Sequence, residues 1–203
     1  MTLAAVLLAG GESRRMGRDK ATLMIDGRPL WQRQIAILSQ LTPALFVSAR
    51  ERPAWLPVEA RFIADAPPAR GPLGGLAATL GVIPGTHLLA LAVDMPAMSA
   101  AHLATLWSAA LPGSGVLPWL GDHAEPLPAI YPAEAQSIAA GLLEGGDVSL
   151  NTFTQALLAA GRMTRHAVAA ADANLYANLN SPEDWGAVTS KLPMVGNEGQ
   201  RRT

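Results

Sequence analysis

The chain has 203 residues, half of them apolar, a formal net charge of −1 and no cysteine. That length suits one domain and that apolar share fills a sizeable core, while near-neutral charge argues against a nucleic-acid footprint. The lack of cysteine excludes thiol catalysis and a disulfide framework, and no apolar run reaches the ~18 residues of a membrane span.

Leu3 to Leu8 is an apolar run of the kind that forms a buried parallel strand. A glycine- and arginine-rich loop follows, up to Lys20. Ala21 to Ile25 reads as a short extended piece turned by Asp26-Gly27. Pro29 falls in the first turn of a helix, where proline is tolerated. Trp31, Ile35, Leu38 and Leu41 follow at helical spacing and face the core. Ala44 to Ala49 and Arg61 to Ala64 are the next strands. Pro72 opens a helix with Leu73, Leu76, Ala77 and Leu80 as its buried stripe. Thr86 to Val93 is a strongly apolar strand, and Ser99 caps a helix running to about Ala109.

The second half predicts strands at Gly115 to Trp119 and Leu127 to Tyr131, joined through Gly121-Asp122-His123-Ala124-Glu125. Helices are expected at Ala133 to Leu143 and Thr152 to Ala160, with an extended segment at Thr164 to Val168. Ser181-Pro182-Glu183-Asp184 is a helix start, with a cap, a proline and two acids at the positive end. The stretch 192–203 has no periodicity and is expected to be a disordered tail. No charged leader with a small-residue cleavage site precedes the first strand, so the cytoplasm is the expected compartment. There is no repeat and no linker, so residues 1–191 are expected to form one domain. Strands alternating with helices give an α/β fold, a mostly parallel sheet covered on both faces.

Ten of the fifteen Lys and Arg residues lie in the first seventy positions, and four of them crowd the loop after the first strand. It reads Leu8-Ala9-Gly10-Gly11-Glu12-Ser13-Arg14-Arg15-Met16-Gly17-Arg18-Asp19-Lys20. Adjacent glycines let the backbone pass close to a ligand, and exposed main-chain N–H groups at such a turn cradle phosphate oxygens. The spacing is neither that of a P-loop nor of a dinucleotide fingerprint. The coincidence of strand, glycines and cations points to a nucleoside triphosphate. Asp94 ends a second apolar run, and ligands of open parallel sheets sit beyond the strands' carboxyl ends. A carboxylate there can hold Mg²⁺ together with phosphate oxygens and water. An ordinary turn aspartate before Met95-Pro96 is the alternative.

The loop carries every fixed position of the signature Leu-Ala-Gly-Gly-x-Ser-x-Arg-Met-Gly-x-Asp-Lys. Three later segments follow in order: Gly71-Pro72-Leu73-Gly74-Gly75-Leu76, Val93-Asp94-Met95-Pro96 and Asn178-Leu179-Asn180-Ser181-Pro182-Glu183-Asp184. On these residues, from about Leu3 to about Trp185, the chain resembles the molybdenum cofactor guanylyltransferase family of Rossmann-like nucleotidyltransferases. The resemblance implies a three-layer Rossmann-like sandwich and transfer of GMP from GTP to the phosphate of molybdopterin, with release of pyrophosphate. It further implies Mg²⁺ as cofactor, with Asp94 as its ligand. A molybdoenzyme or its cofactor chaperone is the expected downstream partner.

The same resemblance places Leu8, Ala9, Gly10, Gly11, Gly17 and Lys20 at the nucleotide, and Asp65 beside it. Ser48 stands where the family often carries a base-contacting asparagine. Asn178 and Asn180 correspond to the family's Asn-x-Asn element at the acceptor; read without the resemblance, Asn180-Ser181 is a helix-capping pair. Arg15, Lys20 and Asp94 are the expected catalytic groups, because nucleotidyl transfer needs charge stabilisation at the phosphates and little covalent chemistry. Ala9-Gly10-Gly11, where cytidylyl relatives typically read Ala-Ala-Gly, favours guanine.

One departure stands out. No Lys or Arg occurs from Gly71 to Gly161. The family usually places basic residues after the position of Gly145-Gly146, where Asp147-Val148-Ser149-Leu150 stands here. It also often has a histidine-proline pair where this chain reads Glu125-Pro126-Leu127-Pro128. The acceptor would rely on main-chain N–H groups, the N-terminal loop, His123, Arg162 or Arg165. Two other readings therefore stay open: transfer to a different acceptor or from a different base, and a non-catalytic nucleotide-binding protein that delivers cofactor.

Overall fold

The structure is a computed structural model that describes residues 1–10, 19–65 and 71–179. The expected tail at 192–203 and the helix start at Ser181 lie outside the described residues.

Strand β1 (Leu3–Leu8) sits at the centre of an eight-stranded sheet. A 3-10 turn, Lys20–Thr22, follows where an extended piece was expected. Asp19 explains it, since its side chain caps the turn by accepting from the Ala21 amide at 2.9 Å. A two-residue hairpin, β2 (Met24–Ile25) and β3 (Arg28–Pro29), turns through Asp26 and Gly27, both at positive φ. Helix α1 (Leu30–Leu38) starts one residue later than expected, because Pro29 occupies the cap with extended backbone.

The remaining elements are β4 (Leu45–Ala49), β5 (Ala60–Ala64), α2 (Gly71–Leu80), β6 (His87–Ala92) and α3 (Ala100–Ser108). Next come β7 (Gly115–Leu120), β8 (His123–Ala124), β9 (Ala129–Pro132), α4 (Ala135–Glu144), α5 (Leu150–Ala159) and β10 (Met163–Ala167). A 3-10 segment, Ala170–Tyr176, follows. Each strand and helix expected from the sequence within the described residues is present. The strand expected from Leu127 begins only at Ala129, since Pro126 and Pro128 have no N–H for a ladder.

The sheet order is β10-β7-β9-β6-β1-β4-β5, with β8 paired to β7. β1 runs parallel to β4 and β6, and β5 parallel to β4. β9 is antiparallel to both β6 and β7. Alternation along β1 divides the core: Ala5 and Leu7 join α1 and α3 on one face, and Ala4, Val6 and Leu8 join α2, α4 and α5 on the other. The result is the expected three-layer sandwich.

Because β1 and β6 are adjacent and in register, Leu8 opposite Ala92, their carboxyl ends open side by side. The chain leaves β1 toward β4 on one side and reaches β6 on the other. This is the topological switch point at which open α/β sheets bind ligands.

Candidate active site at the carboxyl ends of the central strands

A cleft of about 290 Å³ opens at that point, lined by Leu8, Ala9, Gly10, Lys20, Pro72, Ala92, Val93, Asp94, Leu127 and Asn178. Lys20 arrives from the 3-10 turn and Asp94 from the end of β6. They meet at the cleft, with Lys20 Nζ 2.9 Å from Asp94 Oδ2. Both side chains are about one-fifth exposed. Two residues 74 positions apart, each singled out from sequence, thus form one charged centre. Gly11, Arg15 and Gly17 lie outside the described residues, as does Asn180.

The turn after β6 is held through its main chain. Three consecutive carbonyls accept hydrogen bonds from other elements. Asp94 O accepts from the Leu179 amide at 2.9 Å, tying the Asn178 segment to the cleft. Met95 O accepts from Gln34 Nε2 at 2.6 Å, and Pro96 O from Arg33 Nε at 3.0 Å. Gln34 is fully buried on α1. The sequence reading missed it, although Leu30, Gln34 and Leu38 form a stripe at four-residue spacing, and a polar residue within a buried stripe signals a specific partner.

Asp65 follows β5, its amide donating to Ala49 O at 3.0 Å. Its carboxylate accepts from Ser48 Oγ at 2.6 Å. Ser48 is buried, and its hydroxyl is engaged in holding Asp65. Two glycines complete this corner. A Cβ on Gly10 would lie 2.6 Å from Asp65 Oδ2, and one on Gly75 would lie 2.9 Å from Asp65 Oδ1 and collide with Ser48 Oγ. The Gly-Gly of α2 therefore lets the helix press onto the carboxylate.

On the other side of the cleft the donors are different. His102 Nε2 and the Tyr176 hydroxyl share a hydrogen bond at 2.7 Å, with Asp172 3.8 Å from the other ring nitrogen. Burial pulls the His102 pKa down, partly opposed by Asp172 and reinforced by His166, and burial pushes the Tyr176 phenol up. His123 sits exposed on the β7–β8 hairpin, paired in register with Leu120. Arg165 lies over the Trp119 ring at 4.1 Å. Arg162 precedes β10, at the sheet end opposite the cleft, and its carbonyl accepts from the Gly115 amide.

Asp94 fits a magnesium ion. It is a single part-exposed carboxylate on a cleft wall, and Mg²⁺ is usually held by one or two carboxylates with substrate phosphates and water. No cluster of three or more metal-ligating side chains exists among the described residues.

A mostly parallel sheet with a switch-point cleft and a facing lysine–aspartate pair is the arrangement of a Rossmann-like nucleotidyltransferase. Residues 5–167 match the MobA-like NTP transferase domain, and the chain belongs to that family. It is 39% identical to the probable molybdenum cofactor guanylyltransferase of Opitutus terrae, over 90% of this chain and 92% of that one. It is 34% identical to the molybdenum cofactor guanylyltransferase of Xanthomonas euvesicatoria, with 93% and 95% covered. Among solved structures, molybdopterin-guanine dinucleotide biosynthesis protein A of Archaeoglobus fulgidus has a TM-score of 0.74 at 21% identity, over 92% of this chain and 97% of that one. The 2-C-methyl-D-erythritol 4-phosphate cytidylyltransferase of Thermus thermophilus shares the fold, with a TM-score of 0.67 at 17% identity over 93% and 98%. No helix among the described residues is long and apolar enough to cross a membrane.

Proposed function

We propose that this protein transfers GMP from GTP to the phosphate of molybdopterin, releasing pyrophosphate, with Mg²⁺ as cofactor. The observation that carries this reading is the Lys20–Asp94 pair, 2.9 Å apart, at the floor of a cleft where two parallel strands end. The names of the full-length relatives supply the base and the acceptor.

In the transfer, an acceptor phosphate oxygen forms a bond to the α-phosphorus. The bond from that phosphorus to the β-bridging oxygen breaks, and pyrophosphate leaves with the electron pair. The attacking phosphate is already ionised, so no general base is required. Lys20 stabilises charge that grows on the phosphate oxygens, as fixed cations do in phosphoryl transfer. Arg15 and the main chain of Gly10, Gly11 and Gly17 hold the triphosphate. Magnesium held by Asp94 supplies further positive charge at the phosphates when bound. Asp65 accepts from the amino edge of guanine, and Ser48 fixes its carboxylate. Leu8 and Ala9 carry the loop to this position. Asn178 and Asn180 donate to the acceptor phosphate. The product passes to a molybdoenzyme or its cofactor chaperone.

Calorimetry with GTP, ATP, CTP and UTP in the presence of Mg²⁺ tests the base, and pyrophosphate release with molybdopterin separates enzyme from binder. GTP should bind most tightly and turn over. Preference for CTP, or GTP binding without turnover, would overturn the reading.

A further inference from the structure

The segment between β8 and β9 contributes to the cleft wall on the side away from β5. Leu127 lines the cleft there together with Asp94 and Asn178. Two residues earlier stands Glu125, half-buried, with its amide donating to Pro118 O at 2.9 Å. Among the described residues Glu125 forms no ion pair. The chain has no Lys or Arg from 71 to 161 to provide one locally. Its charge reaches Tyr176, two residues before Asn178 on the cleft wall. Burial pushes its pKa up, with His123 opposing.

A carboxylate losing water is costly unless donors meet it. An anionic acceptor phosphate cannot be that partner. Two carboxylate oxygens match a planar edge with two adjacent N–H donors. A 2-amino-4-oxo pyrimidine ring offers such an edge in its amino group and its ring N3–H.

We propose that Glu125 determines acceptor specificity by accepting hydrogen bonds from the 2-amino group and N3–H of a pterin, so that the acceptor's phosphate points back toward Asp94 and Asn178. This rests on the reading that the acceptor is a pterin. Guanine presents the same edge. Asp65 follows β5 and Glu125 precedes β9, so the two carboxylates come from segments on opposite sides of the β1 and β6 ends that form the cleft. The two strands are four spacings apart in the sheet, about 19 Å.

Fluorescence titration with pterin and with lumazine, which has oxygen in place of the 2-amino group, tests the assignment without any turnover. The wild type should bind pterin about tenfold or more tighter than lumazine, because a site built for a donor rejects the ring lacking it. Glu125→Gln should lose or reverse that preference, and Glu125→Ala should lose it. GTP affinity should stay the same in both variants. If Glu125→Gln keeps the wild-type discrimination, the pterin is read elsewhere and the Glu125 assignment fails, while the pterin acceptor stands. A wild type that binds neither ring overturns the acceptor reading and the Glu125 assignment with it.

Discussion

On the side of the cleft proposed for the nucleotide, four parallel strands, β5, β4, β1 and β6, end together, and glycines bring α2 and the first loop against one carboxylate. On the side proposed for the acceptor, β9 runs antiparallel between β6 and β7, so the sheet presents a strand's beginning there. The first region positions its groups by close packing: Asp65 is enclosed by Ser48, Gly10 and Gly75. The second positions them by hydrogen bonds between side chains from separate segments, such as His102 with Tyr176. Groups packed at parallel strand ends have little freedom to change. Groups on hairpins and 3-10 turns can be exchanged with little consequence for the sheet.

Removing the group that both halves share has the largest expected effect. Asp94→Ala should lower turnover by about a hundredfold or more. Asp94 sits at a strand end outside the apolar core, so the melting temperature should stay near that of the wild type. Steady-state pyrophosphate release and a thermal melt give both numbers. A rate above about a tenth of the wild type, roughly 1.4 kcal/mol of barrier, would remove Asp94 from the essential groups.

Gly75→Ala separates the halves. The added Cβ meets Ser48 and Asp65 and should displace the carboxylate. GTP should bind about tenfold more weakly by calorimetry, and stability should fall by about 1–3 kcal/mol. Pterin binding should not change. If GTP affinity were untouched, Asp65 would have no place at the base.

The smallest effect concerns the acceptor side. The folded pKa of His102 is lowered, so the native state holds this ring neutral while the unfolded chain protonates near pH 6.5. The associated stability is fully present above about pH 6.5 and is lost as pH falls below it toward the folded value. Melting temperatures from pH 7.5 to 5.5 should therefore fall more steeply in the wild type than in His102→Asn. Parallel slopes would show that this histidine does not couple the 3-10 segment to pH.

The strand ends that frame the cleft were legible in the sequence, because an apolar run closed by a glycine loop or by an aspartate is a local pattern with a local physical reason. The reading placed the first loop and Asp94 at one crevice, and the structure adds the direct Lys20–Asp94 contact. Other features were hidden for definite reasons. The alternation in Leu127 to Tyr131 is the same whichever way a strand runs, so the reversed direction of β9 could not be read. Ser48 looked like a ligand contact, and only the close approach of Gly75 shows why a short hydroxyl is needed beneath Asp65. Arg162 and Arg165 are near neighbours in sequence, yet only Arg165 lies within the strand that leads to the cleft end.

The turn after β6 also bears on how this enzyme can be altered. Its three grips fall on the carbonyls of Asp94, Met95 and Pro96, groups that every amino acid carries. The donors are blind to the side chains at positions 95 and 96, whereas the amide of Gln34 and the guanidinium of Arg33 are chemically particular. Substitutions tolerated in the turn itself should be forbidden one layer away, on a helix that contributes no residue to the cleft lining. An engineer seeking to retune the catalytic turn would do best to leave α1 alone.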